Sequence, residues 1–152
     1  MNKRARRMEP VKALRERQVQ EEVKKVAAAS QAYQSALNQL VELENYLKGY
    51  YADPSRGAIS FQSARDLVLY QQFVVKINEA IVRQRQFVSL KEMGLKAAQR
   101  RWLEAKSRVD AIDKLIAKVI AEDEKRSDRR EQRAADEMAA RLHRARMAAD
   151  AG

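Results

Sequence analysis

The pattern of apolar positions organises this chain around one stretch, from Leu67 to Val119. Taking every third and fourth residue in turn gives Leu67, Tyr70, Val74, Ile77, Ile81, Gln84, Val88, Lys91, Leu95, Ala98, Trp102, Ala105, Val109, Ile112, Ile116 and Val119. Only Gln84 and Lys91 interrupt an otherwise apolar list. A 3,4 alternation held for about seven heptads averages 3.5 residues, the period of a left-handed coiled coil. Charged residues such as Arg83, Arg85, Arg100, Arg101 and Glu104 fill the surface between these positions. A helix in a globular core carries a broader stripe and rarely sustains so narrow a seam.

An earlier stretch repeats the pattern through Val19, Val23, Val26, Ser30, Tyr33, Leu37, Leu40, Glu44, Leu47 and Tyr51, with Leu43 and Tyr50 beside the seam. Pro10 suits the first turn of a helix, where its missing N–H costs nothing. The spacing therefore predicts helix 1 over residues 11–51. Between the two stretches lies the one concentrated breaker signal, Ala52 to Ser60, with Asp53-Pro54 followed by Gly57. Proline fixes φ and glycine tolerates φ > 0, so this segment reads as a turn. Ser60 is the expected N-cap of the next helix. Helix 2 is expected over 61–121, followed by a mobile, partly helical tail over 122–152. The fold class is all-α: one long antiparallel two-helix coiled coil, with helix 2 overhanging helix 1.

A loop centred between Ser55 and Arg56 sets an expected register. Tyr70 then faces Val41, Val88 faces Val23, Leu95 faces Glu16, and Trp102 meets only the start of the chain near Glu9. Val109, Ile112, Ile116 and Val119 are left without an intramolecular partner. An aliphatic side chain kept in water forgoes ~1.5–3 kcal/mol relative to full burial. These four residues, with Trp102, are therefore the expected intermolecular part of helix 2. Gly94 reads either as a bend or as a tolerated helical glycine.

Composition agrees with long helices. The 152 residues include Gly 4, Pro 2 and 34% charged residues, so little breaks a helix and much surface is wet. With Cys 0 there is no disulfide framework, thiol nucleophile or thiolate metal site, and a reducing compartment is expected. No run approaches the ~20 apolar residues of a membrane span. The basic opening Lys3-Arg4-Ala5-Arg6-Arg7 lacks the apolar segment of a secretory signal.

The formal net charge is +10. Residues 1–30 carry nine Lys and Arg against four Asp and Glu, and residues 121–152 balance at eight against eight. Basic charge is thus spread along the chain and densest near the start. A basic leucine-zipper region concentrates it on one helix beside the zipper and places a base-reading Asn within it. Neither feature is present, so no nucleic-acid binding is expected. The charge reads as a solvated face, attracted to acidic protein or anionic headgroups.

Catalytic chemistry finds no foothold. His143 lies in the charged tail without a cysteine or a second histidine. Gly49, Gly57, Gly94 and Gly152 are scattered singly, so no phosphate-cradling loop exists. Asp110 and Asp113 fall on a helix face with no cleft around them to build an active site. The chain reads as a non-enzyme with no cofactor and no metal.

The aromatics are more informative. Phe73, Ala80 and Phe87 repeat every seven residues beside the main seam, and Tyr46 and Tyr50 flank the seam of helix 1 near the loop. One reading is that they cover the hairpin core near its tip. The other is a docking face, because a two-stranded coil cannot bury flanking rings fully. The stripe proposed for that face is Tyr46, Tyr50, Phe73, Ile77, Ala80 and Gln84, with Gln84 a weak spot in the packing.

Several features together resemble the FliJ family of flagellar type III export proteins. They are the basic start with Pro10-Val11, the aromatic end of helix 1 (Tyr46, Tyr50, Tyr51), and Gly57-Ala58-Ile59-Ser60 in the loop. Tyr70-Gln71-Gln72-Phe73, the run Ile77 through Ile81, Trp102-Leu103-Glu104-Ala105-Lys106 and Asp136-Glu137 complete the match. The resemblance implies an antiparallel coiled coil similar to the rotor stalk of rotary ATPases, in a cytoplasmic part of the apparatus that supports flagellar biogenesis, motility and chemotaxis. It implies engagement of a hexameric export ATPase, here assigned to Trp102, Val109, Ile112, Ile116 and Val119. It also implies contact with the cytoplasmic domain of the membrane export gate, assigned to Tyr46, Tyr50, Phe73, Ile77, Ala80 and Gln84, and handling of export chaperones. Association with the cytoplasmic face of the inner membrane would then run through partners. The stalk of a virulence-type secretion system and a self-associating structural coiled coil share the same pattern.

Overall fold

The computed structural model describes residues 2–52 and 63–151. Two helices account for the ordered elements among them: α1, Lys3–Ala52, and α2, Ala64–Ala151. The chain is all-α, and its two helices pack against one another as a hairpin. It divides into two compact units, residues 18–105 and residues 1–17 with 106–152. Among the described residues no helix is long and apolar enough to cross a membrane.

The ends of the helices follow from capping chemistry. Asn2 precedes α1, and its Oδ1 accepts the Arg4 amide at 2.8 Å, satisfying one of the orphan donors of the first turn. The chain is therefore helical from Lys3, eight residues earlier than the sequence pattern predicts. Pro10 lies inside α1 and is exposed. It forfeits one intrahelical hydrogen bond, but on the outer surface the freed carbonyl can be hydrated. At the other helix, Ser63 Oγ accepts the Asp66 amide at 3.3 Å, a Ser-x-x-Asp start related to the capping box. The helix thus begins at Ala64 rather than Phe61; the Asp53–Gly57 turn and the proposed Ser60 cap lie outside the described residues. Helix α2 does not dissolve after Ala121 but continues to Ala151. Residues 95–151 contain neither Gly nor Pro, and alanine with arginine and glutamate favours helix at nearly every position.

In the unit 18–105, α1 and α2 run antiparallel. Tyr50 stacks on Tyr70 at 5.9 Å, Gln84 reaches Ala36, and Arg101 lies 4.0 Å from Glu22. These pairs correct the expected register: Tyr70 meets Tyr50 rather than Val41, a displacement of roughly two and a half turns at 3.6 residues per turn. Every seam residue of α2 read from the sequence between Tyr70 and Ala105 is buried or half-buried. Leu67, at the start of that list, is exposed.

The seam of α1 is only half as the pattern predicts. Val19, Val26, Tyr33, Leu40 and Leu47 turn inward, as expected. The alternate positions are Glu22, Ala29, Ala36, Leu43 and Tyr50, each one residue before the expected Val23, Ser30, Leu37, Glu44 and Tyr51. Leu37 and Glu44 remain half-buried beside the seam, while Val23, Ser30 and Tyr51 are exposed. Ala36, 1% exposed, explains the choice. A methyl group at the interface lets the helices approach closely enough for Gln84 Nε2 to donate to the Ala36 carbonyl at 3.0 Å.

Glu22 occupies one of these inner positions at a cost. Its Oε2 is buried without a hydrogen bond, and the Arg101 contact at 4.0 Å is too long to supply one. Lys25 Nζ lies 3.6 Å from the other oxygen, Oε1, but a seam carboxylate with one buried oxygen left without a hydrogen bond is outweighed by an apolar residue of similar size. Glu22→Leu is expected to raise the stability of this unit by on the order of 1 kcal/mol, read as a higher midpoint in thermal denaturation. A lower midpoint would show that the Arg101 pair is net stabilising. Gly94 causes no break: the helix runs through it, and a Cβ there would meet nothing within 4 Å.

In the unit formed by residues 1–17 and 106–152, the first turns of α1 lie antiparallel on α2. Lys12 Nζ is 2.8 Å from Asp113 Oδ1, and Asn2 Nδ2 donates to the Val119 carbonyl at 3.5 Å. The four aliphatic residues expected to be bare are therefore covered. Val119 is 3% and Ile116 9% exposed, while Val109 and Ile112 are half-buried. The physical reason is twofold: α1 starts earlier than Pro10 suggested, and the register brings that early segment onto Val119. The part of α2 left without a covering helix begins near Glu122. From Asp123 to Ala151 every described residue is exposed, including Met138, Leu142 and Met147.

Candidate functional site

Assigning heptad positions from the observed seams gives the geometry of each flank. In an antiparallel pair the residues just after the d position (e) of one helix face those of the other, and the residues just before the a position (g) do likewise. Tyr46 and Phe73 are both g residues, and their rings meet edge-on at 6.1 Å. Arg85 and Glu44 are both e residues and form the ion pair on the opposite flank, at 3.5 Å.

The six residues proposed for the docking face occupy d and g positions of the unit 18–105, so they share one side of the pair. Tyr50 is the hub. Its ring lies 4.6 Å from Phe73, 5.3 Å from Tyr46 and 5.9 Å from Tyr70. Tyr50 is itself buried, whereas Tyr46 is 53% exposed and Phe73 half-buried. Centroid separations of 4.5–7 Å with tilted rings are the favourable range for aromatic pairs. One turn further along α2, Ile77 is buried, and Ala80 is half-buried on the flank.

The aromatics thus divide between core and surface. Tyr50 and Ile77 are core, and Tyr46 with the outer edge of Phe73 is surface. The flank continues to Phe87, which is exposed and has Lys91 Nζ 5.0 Å above its ring.

Gln84 departs from expectation. It is not a packing defect: Nε2 donates to the Ala36 carbonyl and, at 3.2 Å, to Gln39 Oε1. A polar seam residue with its donors engaged pins the relative height of two helices. Tyr70 belongs to the cluster and was not among the proposed residues. It lies in the apolar seam and donates its hydroxyl to the Tyr50 carbonyl at 3.2 Å, near the last turn of α1, where carbonyls lack intrahelical donors. Its place in the Tyr-Gln-Gln-Phe run was the available signal.

Burial raises the Tyr50 phenol above its ordinary pKa, and the hydrogen bond with Tyr46 adds to this. The Tyr50 phenol is therefore neutral at physiological pH. Lys12 is raised by its hydrogen bond to Asp113 and by that carboxylate's charge, with Glu16 contributing less. Among the described residues no group of three or more His, Cys, Asp or Glu side chains could hold a metal ion.

Of the residues assigned to the ATPase, Trp102 is a half-buried seam residue of the unit 18–105. Val109, Ile112, Ile116 and Val119 form the seam of the other unit. They are not an exposed overhang. A family model described as Flagellar FliJ protein matches residues 3–148, almost the whole chain. No curated protein gives a match.

Proposed function

The chain belongs to the FliJ family and is a component of the flagellar export apparatus; on that premise we propose that it is a coiled-coil stalk joining the hexameric export ATPase to the cytoplasmic domain of the export gate. The observation that carries this reading is the aromatic flank. Tyr46 and Phe73 lie in ring contact and partly exposed over a buried Tyr50, an arrangement in which a rigid core presents anchors to a second protein. Ile77 and Gln84 act from beneath, holding that flank in shape, and Ala80 leaves room beside it. Gate contact is assigned to this side of the unit 18–105.

Engagement of the ATPase is assigned to the unit that carries both chain ends. Val109, Ile112, Ile116 and Val119 contribute there as the core that keeps α1 and α2 paired, and the contacting atoms are those of the flanks. Trp102 plays the corresponding structural part in its own unit. The role is non-enzymatic, and handling of export chaperones belongs to the same protein. Association with the inner membrane is peripheral, cytoplasmic and mediated by partners.

The test is affinity purification of the tagged chain from gently lysed cells. The export ATPase and the gate protein are expected to co-purify, and the purified chain is expected to stimulate ATP hydrolysis by the ring. Recovery of neither partner, with no stimulation, would refute the proposal.

A further inference from the structure

The two flanks of the unit formed by residues 1–17 and 106–152 differ sharply in chemistry. The e flank, marked by the Lys12–Asp113 bridge, carries Glu9, Glu16, Asp113 and Lys106, with Asp110 and Arg6 next to it, so its charge is mixed. Two of its carboxylates are engaged by one cation, since Lys12 also lies 3.9 Å from Glu16. The opposite flank consists of the g residues and their outward neighbours: Arg4, Arg7, Val11 and Leu14 from α1, and Arg108, Ala111, Leu115 and Lys118 from α2. Val11, Leu14 and Leu115 are each nearly half exposed. Arg4, Arg7, Arg108 and Lys118 are exposed, and none of the four makes an ion pair among the described residues. Glu122, at the end of the row, is the one acidic residue in it.

We propose that this flank is a docking groove for an acidic amphipathic helix of a partner protein. Three aliphatic side chains astride the line between two helices form the floor that a third helix covers. Cations at the rim select a partner whose apolar stripe is bordered by glutamate or aspartate, and they exclude a basic one. Nucleic acid would satisfy the arginines but would leave Val11, Leu14 and Leu115 uncovered. A second copy of the chain would have to present its mixed-charge e flank, whose Asp113 is already bound to Lys12. The groove is defined by its own charge and not by the identity of the ATPase. Failure of the co-purification above leaves it intact, and its own failure leaves ATPase contact to other residues.

The probe is a synthetic helix about three heptads long, with leucine at the seam and glutamate on both flanks, added to the full chain and followed by fluorescence anisotropy. Binding is expected, weakening as salt is raised. Arg4→Glu with Arg7→Glu should reduce affinity roughly tenfold or more, and Val11→Ser with Leu115→Ser by a comparable factor. Glu9→Lys with Asp110→Lys, on and beside the other flank, should leave affinity within about twofold, since rim charges remote from a contact contribute little. Circular dichroism checks that each variant stays folded, and Leu14→Ser alone replaces the double serine variant if that one does not. Equal binding of a lysine version of the peptide, or no binding of the acidic one, overturns the proposal. So does duplex DNA or phosphatidylglycerol vesicles binding more tightly through the same arginines, or self-association of the chain abolished by Arg4→Glu and Arg7→Glu.

Discussion

Ile112→Asp combined with Ile116→Asp is expected to separate α1 from α2 in the unit of residues 1–17 and 106–152. Ile116 is 9% exposed and Ile112 half-buried beneath the first turns of α1. Each change removes an aliphatic side chain from the seam and puts a carboxylate in its place, and Lys12, the cation bridged to neighbouring Asp113, is already engaged. Truncating a buried isoleucine alone costs ~2–5 kcal/mol, and a carboxylate facing an apolar seam adds a desolvation penalty. The pair of changes should therefore destabilise this unit by on the order of 5 kcal/mol or more. Amide hydrogen exchange is the appropriate readout. Residues 3–17 should lose protection, while residues 18–105, held by their own seam, should keep theirs. Stimulation of the ATPase should fall as a consequence of lost pairing. If residues 3–17 stayed protected and only stimulation were lost, the isoleucines would be surface contacts and the packing described here would be wrong.

Phe73→Ala should separate two activities. The ring touches Tyr46 and Tyr50 and is half-buried, so its loss should lower hairpin stability by less than the ~3–5 kcal/mol of a fully buried phenylalanine. Binding to the gate's cytoplasmic domain should weaken by on the order of 2 kcal/mol, a hot-spot magnitude. Stimulation of the ATPase, assigned to the other unit, should be nearly unchanged. Calorimetry for gate binding and a coupled ATPase assay on the same preparation give both numbers. Loss of both activities together would mean that Phe73 is only structural. Full retention of gate binding would remove this flank from the interface.

The residues that carry these two predictions differ in how plainly the chain announces them. Phe73, Ala80 and Phe87 recur every seven residues, and Tyr46 and Tyr50 close the first helix, so the aromatic flank is visible before any packing is known. That Tyr46 stays half exposed while Tyr50 is buried is not visible. The two differ by four residues on one helix, and only the position of α2 decides which of them it covers. Tyr70 illustrates the same point: its hydroxyl bond to Tyr50 depends on register. The resemblance to the FliJ family rested on short runs such as Tyr70-Gln71-Gln72-Phe73, and membership of that family is what the whole chain supports.

Helix, period and the inward face of α2 are properties of the sequence alone. The seam from Tyr70 to Val119 is inward at every residue read for it, because a 3.5-residue repeat of large apolar side chains can be hidden only along one line. Fold class follows, since two such stretches joined by Asp-Pro and Gly must return antiparallel. The α1 seam, its starting point and the register were decided by the tertiary structure. Alanine at 29 and 36 looks indifferent in a hydrophobic pattern, yet it allows the close approach that Gln84 exploits. Pro10 looks like a beginning, yet Asn2 caps a helix that starts before it and ties that helix to Val119. Period is local, set by each helix with itself. Register is the shape match summed over the whole interface, and no single stretch of one chain contains it.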